Sequence, residues 1–124
     1  MINLEKAIEG MGDAQNKLRD ATAINSPTVI SEQMMRLSQY AGILDSFLAE
    51  IEKEYEIKLS AKILEYTKDG EMKFSPAETR SKMELAETKG QILYLTRLVG
   101  SAWKQVGVSQ SRWNHLNTES RTNL

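Results

Sequence analysis

The chain has 124 residues, no cysteine, two prolines and a net charge of −1, and these values exclude several classes of protein. Without cysteine it has neither disulfides nor thiolate metal sites. No apolar run approaches the roughly 20 residues of a membrane span, and residues 1–6 lack the apolar core of a signal peptide. Because the chain also begins with Met1, we expect a complete, soluble, cytoplasmic domain with no membrane partner.

The charge is unevenly distributed along the sequence. Residues 1–88 carry eleven basic and sixteen acidic side chains, a net charge of −5, whereas residues 89–124 carry five basic side chains against Glu119 alone, a net charge of +4. Such asymmetry is typical of a surface for an anionic partner. The alternative is that the basic end neutralises acidic neighbours within the fold.

A first, shorter helix is predicted over residues 3–23. Apolar residues recur at three- and four-residue steps from Leu4 to Leu18, which is the period of a helix. The segment 24–27 then interrupts this pattern, because it contains residues that favour turns and helix starts.

A long second helix is predicted over residues 27–68. Ser26 is a favourable N-cap, and Pro27 is tolerated at the first helical position because the N–H that it lacks has no helical partner there. The helix is expected to end at a loop over residues 69–75, where Gly70 can adopt the positive φ that terminates helices.

The last helix is predicted over residues 76–118. Ser75 and Glu78 have the spacing of a capping box, in which each side chain accepts a hydrogen bond from the other residue's backbone N–H. Gly107 could interrupt the helix, but the apolar spacing continues through it and favours one continuous element. Residues 119–124 are expected to form a frayed tail.

The two long helices are predicted to pair as an antiparallel hairpin. Each carries a line of apolar residues at heptad spacing, here called its seam. If the chain folds back at the middle of the loop, Ile30 lies opposite Trp113, Leu44 opposite Val99 and Ile51 opposite Ile92. Each seam residue between these positions also lies opposite a seam residue of the other helix. The predicted fold class is therefore all-α, a long antiparallel two-helix hairpin with a shorter N-terminal helix, in a single domain.

Four large side chains lie beside the seams and form what we call the apolar stripe: Tyr40, Ile43, Phe47 and Leu98. A two-helix hairpin leaves such a stripe exposed, and large exposed apolar patches mark interfaces. The first helix or a second copy of the chain must cover it. We therefore expect a homo-oligomer that forms a helical bundle.

The sequence offers little for catalysis. His115 is the only histidine and lies near the chain end. The carboxylates of Glu50, Glu52, Glu54 and Glu56 are spread around the circumference of a helix, so they do not converge as an acid–base pair or a metal site. We expect no catalytic residue, no metal and no cofactor, and therefore not an enzyme.

Five residues of the last helix are candidate nucleic-acid contacts: Lys89, Arg97, Trp103, Lys104 and Arg112. Arg97 and Lys104 lie on one line pointing away from the partner helix, where they can neutralise phosphates. Trp103, next to Lys104, can stack on an unpaired base. The alternatives are a solvated face for the two cations, and for Trp103 a role in covering the hairpin edge or a subunit interface.

The predicted register gives the other two cations neighbours on the partner helix. Lys89 faces Glu52, and this arrangement favours a flanking ion pair. Arg112 flanks the seam near Gln33, with Glu32 close by.

The layout of residues 28–118 resembles the bacteriophage recombination-mediator family, small helical proteins of phage replication and recombination modules. The resemblance lies in the long second helix, the short charged connection at 69–75 and the last helix rich in aromatic and basic residues. It implies oligomeric helical rings that bind single-stranded DNA and help a recombinase replace the single-strand-binding protein, in the host cytoplasm. The DNA-facing residues would then be Lys89, Arg97, Lys104 and Arg112.

The acidic front half departs from that pattern and would have to face protein or solvent. The alternative function is therefore a protein–protein role without nucleic acid: an adaptor, an assembly chaperone or a phage-encoded inhibitor of a host protein. In that case the apolar stripe would be the docking face.

Overall fold

The computed structural model describes residues 2–122, and side chains as far as Glu119. In this part of the chain there are four helices and no strand: α1 (Leu4–Ala23), α2 (Pro27–Thr67), α3 (Phe74–Glu84) and α4 (Ala86–Thr122). The predicted all-α class is confirmed. Among these helices, none combines the length and apolar character needed to cross a membrane.

Helix α1 has the predicted extent and well-defined ends. Asn3 is its N-cap, with the side-chain Oδ1 accepting a hydrogen bond from the Lys6 backbone N–H at 2.8 Å. At the other end Asn25 adopts a positive φ of 54°, a conformation that asparagine tolerates better than most residues. The Ser26 N–H then donates to the Ala21 carbonyl at 3.1 Å and closes the turn into α2.

Helix α2 also agrees with its predicted bounds. It begins at Pro27 and ends at Thr67, one residue before the predicted end. Gly70 has a φ of +70°, the left-handed conformation expected of the residue that terminates this helix.

The prediction of a single helix over residues 76–118 is wrong, because the chain forms α3 and α4 on either side of Leu85. Leu85 has φ −101° and ψ 14°, outside the helical region. Hydrogen bonds from the Leu85 N–H to the Ser81 carbonyl (3.1 Å) and from the Lys89 N–H to the Leu85 carbonyl (3.0 Å) continue across it. The two helices are therefore joined directly, without a loop.

Contacts of α3 with α2 give a physical reason for this break. The Glu84 carboxylate pairs with Lys62 of α2 at 3.0 Å and accepts a short hydrogen bond from the Tyr66 hydroxyl, while Leu85 is buried. The chain departs from helical geometry at the point where Glu84 contacts α2 and the next residue, Leu85, is buried. The Tyr66 hydroxyl and the Lys62 ammonium hold the pKa of Glu84 below its ordinary value.

The predicted capping box is not formed. Helix α3 begins at Phe74, with Lys73 as an N-cap that makes no side-chain hydrogen bond. This earlier start places Ser75 inside the first turn, where its hydroxyl cannot cap. Glu78 instead pairs with Lys82 one turn later, at 3.3 Å.

Helix α4 is continuous through Gly107, as the apolar spacing predicted. It also continues to Thr122, so the prediction of a frayed tail from residue 119 is wrong as far as the described residues extend; residues 123–124 lie outside them. The segment after Gly107 has neither proline nor glycine, and His115 pairs with Glu119 one turn later at 3.3 Å. Both features favour continuation of the helix.

The contacts divide the chain into two units, Met1–Asp45 with Arg97–Leu124, and Ser46–Thr96. The first unit has a core from three helices, with five buried apolar residues from each of α1 and α2 and a smaller set from α4. These apolar residues are Ala7, Met11, Ala14, Leu18 and Ala21; Ile30, Met34, Leu37, Ala41 and Leu44; and Val99 and Ala102. Helix α4 also buries the polar residue Ser109.

In the first unit α1 runs antiparallel to α2. Asp13 forms an ion pair with Arg36 at 2.7 Å, and Gly10 lies against the Tyr40 ring, so that positions earlier in α1 meet positions later in α2. The hydrogen bond from Arg36, followed by that from Lys17, lowers the pKa of Asp13. Helix α1 therefore docks on α2 of its own chain.

The contacts between α1 and α4 indicate a parallel arrangement, in contrast to the antiparallel pairing of α1 with α2. The Gln105 side chain donates to the Gln15 carbonyl at 2.8 Å. Further along α4, Arg112 donates to Asn25, which follows the C-terminal end of α1. Helix α1 is thus parallel to this part of α4, and the segments of α2 and α4 in this unit run in opposite directions.

The second unit combines the end of α2, α3 and the start of α4. Its buried residues are Leu48, Tyr55, Ala77, Ser81, Leu85, Ile92 and Leu95. The small residues Ala77 and Ser81 are both fully buried on one side of α3. Arg80 forms an ion pair with Glu84 at 3.5 Å. Its guanidinium lies 4.8 Å from the centre of the Tyr66 ring.

Two glycines of α1 provide a matched test of how closely this helix packs. A Cβ at Gly10 would overlap the Tyr40 ring, whereas a Cβ at Gly12 would meet nothing within 4 Å. We expect Gly12→Ala to stabilise the fold by up to ~1 kcal/mol through helix propensity. Gly10→Ala should destabilise it, since overpacking costs ~1–3 kcal/mol. Urea denaturation of both variants measures the difference, and equal stabilisation by the two would contradict the close approach.

Candidate functional site

Arg97 and Lys104 form what we call the basic face of α4. Both are exposed, and neither makes an ion pair with any side chain described between residues 2 and 119. They lie on the opposite side of the helix from the buried Val99 and Ala102, because residues seven apart return to one side of a helix. Both positions therefore point outward, as the sequence predicted.

Trp103 adjoins the basic face but is partly engaged elsewhere. Its Nε1–H donates to the Asp45 carboxylate of α2 at 3.2 Å, and 42% of the residue is exposed. Successive helical residues are about 100° apart around the axis, so Trp103 and Lys104 face different directions. The tryptophan covers the edge between α4 and α2, as the alternative interpretation expected, and still presents part of its ring to solvent.

Arg112 anchors the turn between α1 and α2. Its Nε donates to Asn25 Oδ1 at 3.1 Å, and a second guanidinium nitrogen makes a shorter hydrogen bond to the same oxygen. No ion pair of Arg112 with Glu32 occurs among the described side chains. Because Asn25 holds the left-handed conformation at that turn, the guanidinium supports the fold, and fewer of its donors remain for a phosphate.

Lys89 lies in the second unit, among carboxylates. Its ammonium nitrogen is 5.3 Å from the centre of the Tyr55 ring, a cation–π contact. Glu52 and Glu56 line the same surface depression as Lys89, although no ion pair with Glu52 forms within 4 Å in the described residues. These neighbouring carboxylates make Lys89 a weaker phosphate contact than the basic face.

The apolar stripe is half-buried along its length. Tyr40 packs against Gly10 of α1, with the Arg36 guanidinium 5.6 Å from its ring centre. Ile43, Phe47 and Leu98 are each of intermediate exposure. Other apolar side chains, at positions that the sequence did not single out, are more exposed than the stripe. In the first unit they include Ile24, Met35 and Val108, and in the second Ile57, Leu64, Phe74, Met83, Leu93 and Tyr94.

A groove between α1 and α4 is the feature of the first unit that sequence reasoning missed. We call it the α1–α4 groove; it encloses about 590 Å³ and is lined by Gln15, Asn16, Arg19, Thr22, Ala23, Ser101, Gln105, Val108 and Ser109. Ser101 and Val108 alternate with Arg97 and Lys104 at steps of four and three residues. The groove therefore borders the basic face. The sequence carried no signal for it, since the docking position of α1 was unknown.

The described part of the chain contains no candidate cluster for a metal ion. Within it, no group of three or more histidine, aspartate and glutamate side chains converges in a way that could hold a metal ion. His115 and Glu119 form an exposed pair one turn apart on α4, an arrangement common on helix surfaces.

Comparison with known proteins adds no relative. No protein-family model, no curated protein and no solved structure matches the chain. The resemblance to the phage recombination-mediator family therefore rests on the layout of the helices alone.

The different roles of Arg112 and Arg97 can be separated by one substitution made at both positions. Methionine keeps the straight side chain and helix propensity but removes the donors. We expect Arg112→Met to destabilise the fold by about 1 kcal/mol, because Asn25 loses its partner. Arg97→Met should change the stability by less than about 0.5 kcal/mol. Urea midpoints measure both, and equal effects would contradict a structural role for Arg112.

Proposed function

We propose that this chain is a non-catalytic helical scaffold that binds single-stranded DNA through the basic face of α4. The observation that carries the proposal is that Arg97 and Lys104 are exposed and have no ion-pair partner among the described side chains. No aspartate or glutamate occurs between residues 88 and 118. Two exposed cations on a stretch of helix that has no acidic residue of its own attract a phosphate backbone.

A single strand fits this surface better than a duplex. Part of the Trp103 ring is exposed next to Lys104, and aromatic rings stack on unpaired bases. The Asp45 carboxylate at the Trp103 indole disfavours a phosphate on that side. The backbone of the strand is therefore proposed to follow Arg97 and Lys104, with Trp103 available to a base at the edge.

The proposal gives the other candidate cations smaller roles. Arg112 already donates to Asn25, and Lys89 lies beside Glu52 and Glu56. Both are expected to add long-range attraction for an anionic strand, and little direct contact. In the same mediator-like function, the chain is also proposed to recruit a recombinase or another protein partner. Its proposed location is the cytoplasm.

The scaffold is proposed to be the antiparallel hairpin of the two long helices, assembled into a homo-oligomer. In support of the pairing, seam residues of α2 and α4 are buried within each unit. In support of self-association, Ile57 and Leu64 of α2 are 59% and 67% exposed and lie seven residues apart on one side of that helix. Light scattering on the purified chain gives the copy number needed to interpret any binding curve.

Titration of a labelled single-stranded oligonucleotide by fluorescence anisotropy tests the function. We expect binding that weakens steeply with salt, since each phosphate contact to a single strand contributes about −0.7 to the slope of log K against log salt. Replacing Arg97 and Lys104 together by alanine should therefore reduce the magnitude of the slope by about 1.4.

A charge-matched control uses two lysines of α2. Lys53 and Lys58 are exposed and have no ion pair in the described residues, and their replacement by alanine removes the same charge from an acidic segment. This variant should keep the wild-type slope. Equal losses in both variants would mean that net charge alone drives binding. Absence of binding at low salt would overturn the proposal and favour the adaptor or inhibitor function.

A further inference from the structure

We propose that the α1–α4 groove is a binding site for one nucleobase of a strand whose phosphates lie on the basic face. This inference rests on the proposed function and adds to it a site for the base. The groove belongs entirely to the first unit, and its residues from α4 are interleaved along the helix with Arg97 and Lys104. A strand that follows the basic face therefore passes the opening of the groove.

The groove presents the hydrogen-bonding groups that a base edge requires. Gln105 donates its side-chain N–H to the Gln15 carbonyl at 2.8 Å, and the Gln15 side chain donates weakly to the Ser101 hydroxyl at 3.5 Å. The side-chain carbonyl oxygens of Gln15 and Gln105 accept no hydrogen bond from the described residues. Carbonyl and amide groups of this kind pair with the donors and acceptors of bases.

A serine also lies in the wall of the groove. Ser109 lines the groove and makes no hydrogen bond with any described residue. Its hydroxyl can therefore donate a hydrogen bond to a base edge or accept one from it.

The charge of the groove fits an anionic strand. Its lining contains one cation, Arg19, and no carboxylate. Arg19 donates to the side chain of Asn16, and its remaining N–H groups can reach a phosphate that flanks the bound base. Ala23 and the 62% exposed Val108 supply apolar surface for the face of the ring.

Two strands of equal length and charge test this inference on the unmodified protein. One is oligothymidylate and the other carries abasic sites throughout, and both are titrated by fluorescence anisotropy at the same salt concentrations. We expect the abasic strand to bind more weakly by at least on the order of tenfold, because it lacks the base for the groove as well as a base that could stack on Trp103. The salt slopes should be equal, because the phosphate contacts are unchanged.

Matched glutamine variants locate the base contact. Gln105→Leu removes the amide from the groove, whereas Gln110→Leu removes an exposed amide of the same helix that donates to Asn114. Circular dichroism first establishes that both variants fold. Gln105→Leu should reduce the difference between the two strands, and Gln110→Leu should preserve it.

The outcomes distinguish failure of this inference from failure of the proposed function. Equal affinities for the two strands, with a steep salt dependence for both, overturn the base site and leave the phosphate contacts intact. Preserved discrimination in folded Gln105→Leu also overturns the groove as its origin. If neither strand binds at low salt, the proposed function fails and the base site fails with it.

Discussion

Burial of one side of α4 is the constraint on which the rest of the first unit depends. Val99 and Ala102 must lie against α1 and α2 because transfer of apolar side chains from water drives the packing. A helix has a fixed period, so this burial also determines where Arg97 and Lys104 point. The outward, unpaired position of these cations is therefore a consequence of the core, and the proposed interaction with phosphates needs no rearrangement of the helix.

Docking of α1 adds the second element of the surface. The close approach of Gly10 to Tyr40 and the Asp13–Arg36 ion pair hold α1 on α2, and Gln105 ties it to α4. Together these contacts cover part of the apolar stripe and leave a groove beside the basic face. The same docking engages Arg112 at the α1–α2 turn. Among the described cations of α4 in the first unit, Arg112 therefore supports the fold, whereas Arg97 and Lys104 have no ion-pair partner.

Sequence periodicity predicted those features that depend on one helix at a time. It located α1 and α2 and the outward direction of Arg97 and Lys104, and the helix-ending glycine signal located the left-handed Gly70. It failed where distant residues decide the outcome: the break at Leu85 accompanies contacts of Glu84 with α2, and Arg112 bonds to a residue 87 positions away. The groove required the docking position of α1, which no local pattern specifies.

Mapping the bound strand residue by residue tests the central claim most directly. In ¹H–¹⁵N NMR spectra recorded during titration with a single-stranded oligonucleotide, we predict that the largest shifts of backbone amides fall on residues 97–108 of α4. The neighbouring residues 15–23 of α1 should follow. Shifts concentrated around Phe47 and Ile57, or no shifts at low salt, would contradict the account and direct attention to protein partners.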